Sequence, residues 1–189
     1  MKNFFFNELG IMQGRLLPKY KGRYQSFPKY TWSSEFKLAK QLNFKNIEFI
    51  FDYDDFNENP LLSKKGLSKI RFLSKMYNVS VKSICADFFM DSPVFATGID
   101  YLINKKLLKT LIKNSKCIGI NDIIIPFVDN SSLNKKWKMD NAIHFLNGIS
   151  YFINYYNINI TLETDLSPID FKKFIKKLKL KKYKINYDT

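Results

Sequence analysis

Only one histidine, His144, and two cysteines, Cys85 and Cys117, occur among 189 residues. A site built from several imidazole ligands is therefore excluded. The cysteines have no metal-type spacing and read as buried small hydrophobes or free thiols of a reducing compartment. No segment approaches the ~20 continuous apolar residues of a membrane span. The Phe4-Phe5-Phe6 run near the N-terminus is far too short for a signal peptide. The expectation is a soluble, cytoplasmic protein without membrane contact. Acidic residues are also scarce: Asp and Glu number 17 against 31 Lys and Arg, a net charge of +14. Such a charge would suit nucleic acid, anionic lipid or a phosphorylated metabolite. The lysines, however, recur at helical spacing rather than in one aromatic-laced patch. They are read as solvated helix faces, and nucleic acid is not an expected partner.

The chain is also short. With 46% hydrophobic residues it suits a single domain over 1–189 with a substantial core. What is present is an alternation. Short apolar runs rich in β-formers lie at 10–16, 46–52, 79–87, 122–128, 157–164 and 184–188. Stretches of helical period fit 32–42, 63–77, 100–117, 139–156 and 168–178. Trp32, Phe36, Ala39 and Leu42 form one stripe; Leu67, Ile70 and Leu73, with Met76 or Tyr77, form another. Gly119 sits where a left-handed C-cap belongs. Ser167-Pro168-Ile169-Asp170 supplies an N-cap and a first-turn proline. Lys172, Lys173, Lys176 and Lys177 fall opposite Phe171, Phe174, Ile175 and Leu178.

Strands separated by crossover-length helices must run parallel. An open doubly wound sheet and a barrel both satisfy this. Strand parity favours the barrel. Ile158, Ile160 and Leu162 share one face of the fifth run; Asn159, Thr161 and Glu163 share the other. In the sixth, Ile185 and Tyr187 oppose Lys184, Asn186 and Asp188. A central strand of an open sheet should be apolar on both faces, whereas one polar face suits a strand lining a reactive barrel mouth. A complete eight-stranded barrel typically needs about 250 residues. The expected fold is therefore α/β, a parallel (β/α) barrel of TIM type, incomplete, with six of eight β–α units.

Glu163 and Asp188 end consecutive strands on the polar face, at the end where such barrels carry their active sites. Neighbouring strands are about 4.8 Å apart, so the pair could share one hard divalent cation, Mg²⁺ or Mn²⁺. On spacing alone this is a weak signal, and two solvated strand-end carboxylates are the alternative. Arg15 and Gln13 share a parity on the first strand. Arg15 could meet an anionic substrate group or pair with a neighbouring carboxylate. Glu48 and Asp52 on the second strand could line the pocket or satisfy that arginine, and Asp87 could contact substrate or cap a loop. Trp32, Phe88, Phe89 and Trp137 are candidates for walling the site. His144, in the middle of a helical stretch, reads as a surface or packing residue.

Six strand ends occur in order: Gly10-Ile-Met-Gln-Gly-Arg15-Leu, Ile47-Glu48-Phe-Ile-Phe-Asp52, Ser83-Ile-Cys-Ala-Asp87-Phe-Phe-Met, Ile125-Pro-Phe-Val-Asp129, Leu162-Glu163-Thr-Asp165 and Asn186-Tyr187-Asp188-Thr189. Together they resemble the xylose isomerase-like TIM-barrel family, in particular its sugar phosphate isomerases and epimerases. The resemblance covers nearly the whole chain. It implies a divalent metal held by a Glu on strand five, an Asp on strand six, a His on strand seven and a Glu on strand eight. Glu163 and Asp188 match the first two, and Glu163 is also the implied acid/base. Arg15, Gln13, Glu48 and Asp87, read from strand position rather than from the resemblance, are the candidate substrate contacts.

The implied activity is proton transfer next to the carbonyl of a small sugar or sugar phosphate. Strands seven and eight have no counterpart, so the expectation is a truncated or split chain that holds metal weakly. On its own it would be weakly active or inactive, and a second chain could complete the barrel. The alternatives are an inactive relic or an interaction subunit with open sheet edges. An apurinic-site endonuclease of the same superfamily would need far more histidine.

Overall fold

The computed structural model describes residues 9–187. Six strands form one sheet: β1 (Gly10–Met12), β2 (Asn46–Ile50), β3 (Ser80–Cys85), β4 (Asp122–Phe127), β5 (Asn159–Thr164) and β6 (Tyr183–Ile185). Their order in the sheet is their order in the chain, and every neighbouring pair is parallel. This order decides the architecture. A doubly wound sheet reverses its strand order at a switch point; here it never reverses, so the connections wind one way around the sheet. Seven helices join the strands: α1 (Glu35–Gln41), α2 (Lys64–Tyr77), α3 (Phe88–Asp91), α4 (Gly98–Ile118), α5 (Lys136–Asn147), α6 (Ser150–Tyr156) and α7 (Pro168–Lys176). Among the described residues β1 and β6 do not pair with each other, and the sheet is open.

The outer face of the sheet is apolar and buried under the helices. Ile47, Phe49, Ile123, Ile125, Phe127, Ile160 and Leu162 meet Phe36, Ile70, Leu111, Phe145 and Phe174. The opposite parity carries the polar residues Glu48, Ser83, Asp122, Asn159, Thr161 and Glu163, with Met12, Ile124 and Pro126 among them. Its members bond to one another, as where the Asn159 Nδ2 donates to Asp122 at 2.9 Å. A shift in the β2–β3 pairing at Ile47 and Glu48 lets Ser83 lie beside Glu48.

Four helix-to-strand turns use one device. Asn43, Asn78, Gly119 and Asn157 all adopt positive φ. Asparagine tolerates this conformation better than other side chains, and glycine adopts it freely. In three of these turns the next residue, Val79, Ile120 or Ile158, is buried. The left-handed cap thus turns the chain straight from the helix back under the sheet.

Several elements differ from the sequence expectation. The 139–156 helix is two helices, broken at Gly148 and Ile149. Glycine is a poor helix interior, and the Ser150 hydroxyl donates to the Asn147 carbonyl at 2.7 Å, competing with the helix's own bonding. The Asn147 side chain is in turn tied to the backbone of Lys177 and Lys179. The 10–16 run is extended only to Met12, and Leu42 lies beyond α1 and is exposed. Met76 is exposed, and Tyr77 is the residue that packs on the core. The one-turn helix α3 was not expected; burial of Phe88 and Phe89 fixes it. Lys172, Lys173, Lys176 and Lys177 are exposed, opposite the buried Phe174. No described helix is long and apolar enough to cross a membrane.

Candidate functional site

A cleft of about 720 Å³ opens at the C-terminal ends of the strands. Met12, Glu48, Cys85, Ile124, Pro126 and Glu163 form its floor, one or two residues from each of β1 to β5. Arg15, Arg23 and Gln25 enter from the loop between β1 and α1; Asp52, Asp87 and Asp129 rim it just after β2, β3 and β4, and Asp91 from the end of α3. In a chain of net charge +14, this cleft carries six carboxylates and two guanidiniums, and no lysine lines it.

Glu163 ends β5 on the polar parity, and the Asn186 Nδ2 donates to its Oε2 at 2.8 Å. Glu48, on β2, accepts a 2.5 Å hydrogen bond from the Ser83 hydroxyl. Burial raises its pKa, the Ser83 bond opposes the rise, and the charges of Asp87 and Glu163 add to it. Asp87 accepts from the Gln25 Nε2 at 3.0 Å and from the Cys85 thiol at 2.9 Å. Burial raises its pKa despite those bonds. Asp52 is buried, which raises its pKa, while Arg23 at 3.1 Å pulls it back down. Arg15 is exposed, and its guanidinium donates to the Gln25 Oε1 at 3.4 Å. Gln25 thus links Arg15 to Asp87 across the mouth.

Arg15, Glu48, Asp87 and Glu163 therefore line one cleft. Gln13 does not line it, and its expected role as a substrate contact is corrected. The strand ends at Met12, and Gly14 turns with φ +87°, so alternation does not carry past the turn. The Gln13 side chain is fully buried and accepts the Ile50 N–H at 3.1 Å, closing the end of β2. Trp32, Phe88 and Phe89 belong to the core, while Trp137 packs on Phe95; none of the four lines the cleft. His144 is on the exposed side of α5, beside the Tyr101 ring. Asp188 lies outside the described residues.

Glu35 was not singled out from the sequence. Its side chain is buried and accepts the Gly14 N–H at 2.6 Å, anchoring the loop that carries Arg15. Burial pushes its pKa up to about 7, against the bonds it accepts. A signal was present: Glu35 falls on the same helical arc as Trp32, Phe36 and Ala39, a carboxylate in an apolar stripe.

Among the described residues no three His, Cys, Asp or Glu side chains are grouped to hold a metal ion. Glu163 is the one described member of the implied ligand set. The described residues alone do not make a metal centre.

A xylose isomerase-like TIM-barrel protein from Mycobacterium smegmatis, solved with magnesium, superposes with TM-score 0.70 at 15% identity, over 97% of this chain and 65% of that one. The chain has the fold of the xylose isomerase-like TIM barrels. A D-psicose 3-epimerase solved in the presence of D-fructose gives TM-score 0.69 at 15% identity, over 93% of this chain and 61% of that one. An AP endonuclease of family 2 from Brucella melitensis gives 0.66 at 10%, over 96% and 68%. The chain thus spans 61% to 68% of the length of these three solved chains. No protein-family model and no curated protein matches it.

Proposed function

We propose that this chain forms the substrate cleft of a sugar isomerase or epimerase, with Glu163 as the proton-transferring base. The observation that most supports the reading is Glu163 itself. It stands at the C-terminal end of β5, on the inner face, steadied by Asn186, in a cleft rich in carboxylates and hydrogen-bonding groups. A small polyhydroxylated substrate matches that lining. Glu163 would take the proton from the carbon next to the substrate carbonyl. The C–H electron pair forms the carbon–carbon double bond of an enediolate as the carbonyl π pair moves onto its oxygen; return of the proton to the former carbonyl carbon gives the isomer, and delivery to the original carbon from the opposite face, by a second acid on the far side of the substrate, gives the epimer.

Glu48, with its raised pKa, is suited to sharing a proton with a substrate oxygen, and Asp87 to accepting from a hydroxyl. Arg15 is the contact for a phosphate or carboxylate where the substrate carries one. A divalent cation, Mg²⁺ or Mn²⁺, would take Glu163 and Asp188 as two of its ligands. The rest must come from beyond these six units, on the same polypeptide or on a second chain paired along β1 and β6.

The test compares residues 1–189 alone with the same residues joined to the last two β–α units of a related barrel. Both are assayed with Mn²⁺ on ketoses, ketose phosphates and inososes. The joined protein is expected to be active, and Glu163→Gln to abolish that activity. Activity of the isolated chain that survives Glu163→Gln would overturn both the site and the need for completion. A non-catalytic interaction subunit is the second reading, favoured by the two open edges. It predicts no turnover in either form, with a partner chain captured along β1 or β6.

A further inference from the structure

The outer surface carries a second concavity, of about 420 Å³, between α4 and α6. Lys105, Lys106, Lys109 and Lys113 line it on the α4 side, and Phe152 on the α6 side. No carboxylate lines it. None of these four lysines is in a salt bridge among the described residues. Asp100, at the start of α4, is the acidic residue of that helix, and α6 has none. Lys105, Lys109 and Lys113 recur every fourth residue, so they form a row about 12 Å long at 1.5 Å per residue.

The row is bordered by aromatic rings. The Lys109 ammonium sits 4.3 Å above the Phe152 ring. Phe152 touches Tyr151 edge-on at 6.0 Å, and Tyr151 stacks against Tyr155 at 6.0 Å. Tyr151 is 74% and Tyr155 68% exposed. Two neighbouring tyrosines this exposed do nothing for the core of α6. The sequence places these lysines and tyrosines about forty residues apart, and only the packing of α4 on α6 makes them one surface.

We infer that the α4–α6 face binds a single strand of nucleic acid, its phosphates along the lysine row and its bases stacked on Tyr151 and Tyr155. A row of this length meets about three phosphates. Exposed aromatic faces beside such a row are the arrangement by which single strands are held without sequence readout. A duplex keeps its bases stacked inside and cannot use the tyrosines. An anionic bilayer or a sulfated polysaccharide would use the lysines but gain nothing from stacking. The surface lies on the outer helices, away from the cleft, so the inference is independent of the proposed catalytic function.

The test is fluorescence anisotropy with labelled oligo-dT and oligo-U of about 15 nucleotides, with a duplex of equal length, heparin and phosphatidylserine vesicles as competitors. Single strands are expected to bind at physiological salt and to resist competition by the other three. Lys105→Glu/Lys109→Glu/Lys113→Glu should weaken binding at least about tenfold and lower the salt slope by about 2. Tyr151→Ala/Tyr155→Ala should weaken it about tenfold with the slope unchanged. Lys172→Glu/Lys173→Glu/Lys176→Glu, which removes as much charge from α7, should leave it intact. The inference is overturned by an equal loss from the α7 variant, by no loss from the tyrosine variant, by equal competition from duplex, heparin or vesicles, or by no binding. It is also overturned if light scattering shows the tyrosine face occupied by a second copy of this chain.

Discussion

The Asn186 amide donates to the Glu163 carboxylate, Nδ2 to Oε2, at 2.8 Å. β5 and β6 pair with Leu162 opposite Ile185, so the next residues, Glu163 and Asn186, stand side by side on the inner face. The bond helps fix where the carboxylate points at the C-terminal end of β5. Glu163→Gln is therefore expected to lower Mn²⁺ binding severalfold, and Asp188→Asn to do the same, as read by electron paramagnetic resonance of free Mn²⁺. Arg15→Ala should leave it unchanged. Retention of binding in both carboxylate variants would remove this end of the cleft as a cation site.

Glu35 makes stability pH-dependent. Its pKa is about 7 in the folded chain against an ordinary 4.5. The folded state holds the proton more tightly, so this contribution is fully present below pH 4.5 and is lost as pH rises through 7. Glu35→Gln keeps an oxygen for the Gly14 N–H and removes the titration. Measured by urea unfolding, its stability relative to wild type should rise by about 3 kcal/mol between pH 4.5 and pH 8. The buried Glu48, Asp52 and Asp87 shift in the same direction but are present in both proteins, so they cancel. A flat difference across that range would show that Glu35 is not buried as a carboxyl acid.

Gly14 is the hinge on which Arg15 enters the cleft. A Cβ there would lie 2.3 Å from the Tyr24 carbonyl oxygen and 3.0 Å from that of Ser26, at φ +87°. Both obstacles are backbone and cannot swing aside. Gly14→Ala should cost about 2–4 kcal/mol in a denaturant melt. Gly22→Ala is the control: its φ is also positive, but nothing lies near its Cβ position. It should cost only about 1 kcal/mol, since only the conformational strain applies.

The strands, their parallel sense and the positions of Glu48, Asp87 and Glu163 at one mouth were legible because a β-strand alternates strictly. A polar parity in β5 then names its own inner face. Legibility failed where alternation ended. Gln13 and Arg15 are two residues apart, but the Gly14 turn between them breaks the alternation, so Arg15 enters the cleft while Gln13, next to the cleft-lining Met12, is buried away from it. Gly148 and Ser150 broke a helix whose apolar stripe, Ala142, Phe145, Leu146, Ile149 and Ile153, is continuous in sequence and buried throughout. The stripe reports burial, not continuity of the backbone. The acidity of the cleft was hidden because its carboxylates come from five separate segments of a basic chain.

The two cysteines offer a direct check on the cleft floor. Cys117 is exposed and Cys85 is buried. Burial holds the Cys85 thiol well above its ordinary pKa, and the nearby Asp87 charge and the S–H bond to its Oδ1 push it further the same way. Only the thiolate attacks a disulfide reagent. With dithionitrobenzoate at pH 8 the native chain should therefore show one fast thiol, lost in Cys117→Ser, and one slow thiol. Asp87→Asn removes the repelling charge but not the burial. Cys85 in that variant should react several times faster than in wild type while remaining slower than Cys117. The acceleration of Asp87→Asn over wild type should shrink little at high salt, because the Asp87–Cys85 contact is buried and shielded from counterions. If Asp87→Asn leaves the slow phase untouched while the far-ultraviolet spectrum shows an intact fold, Asp87 does not face Cys85, and the floor of the cleft between β3 and β4 is arranged differently.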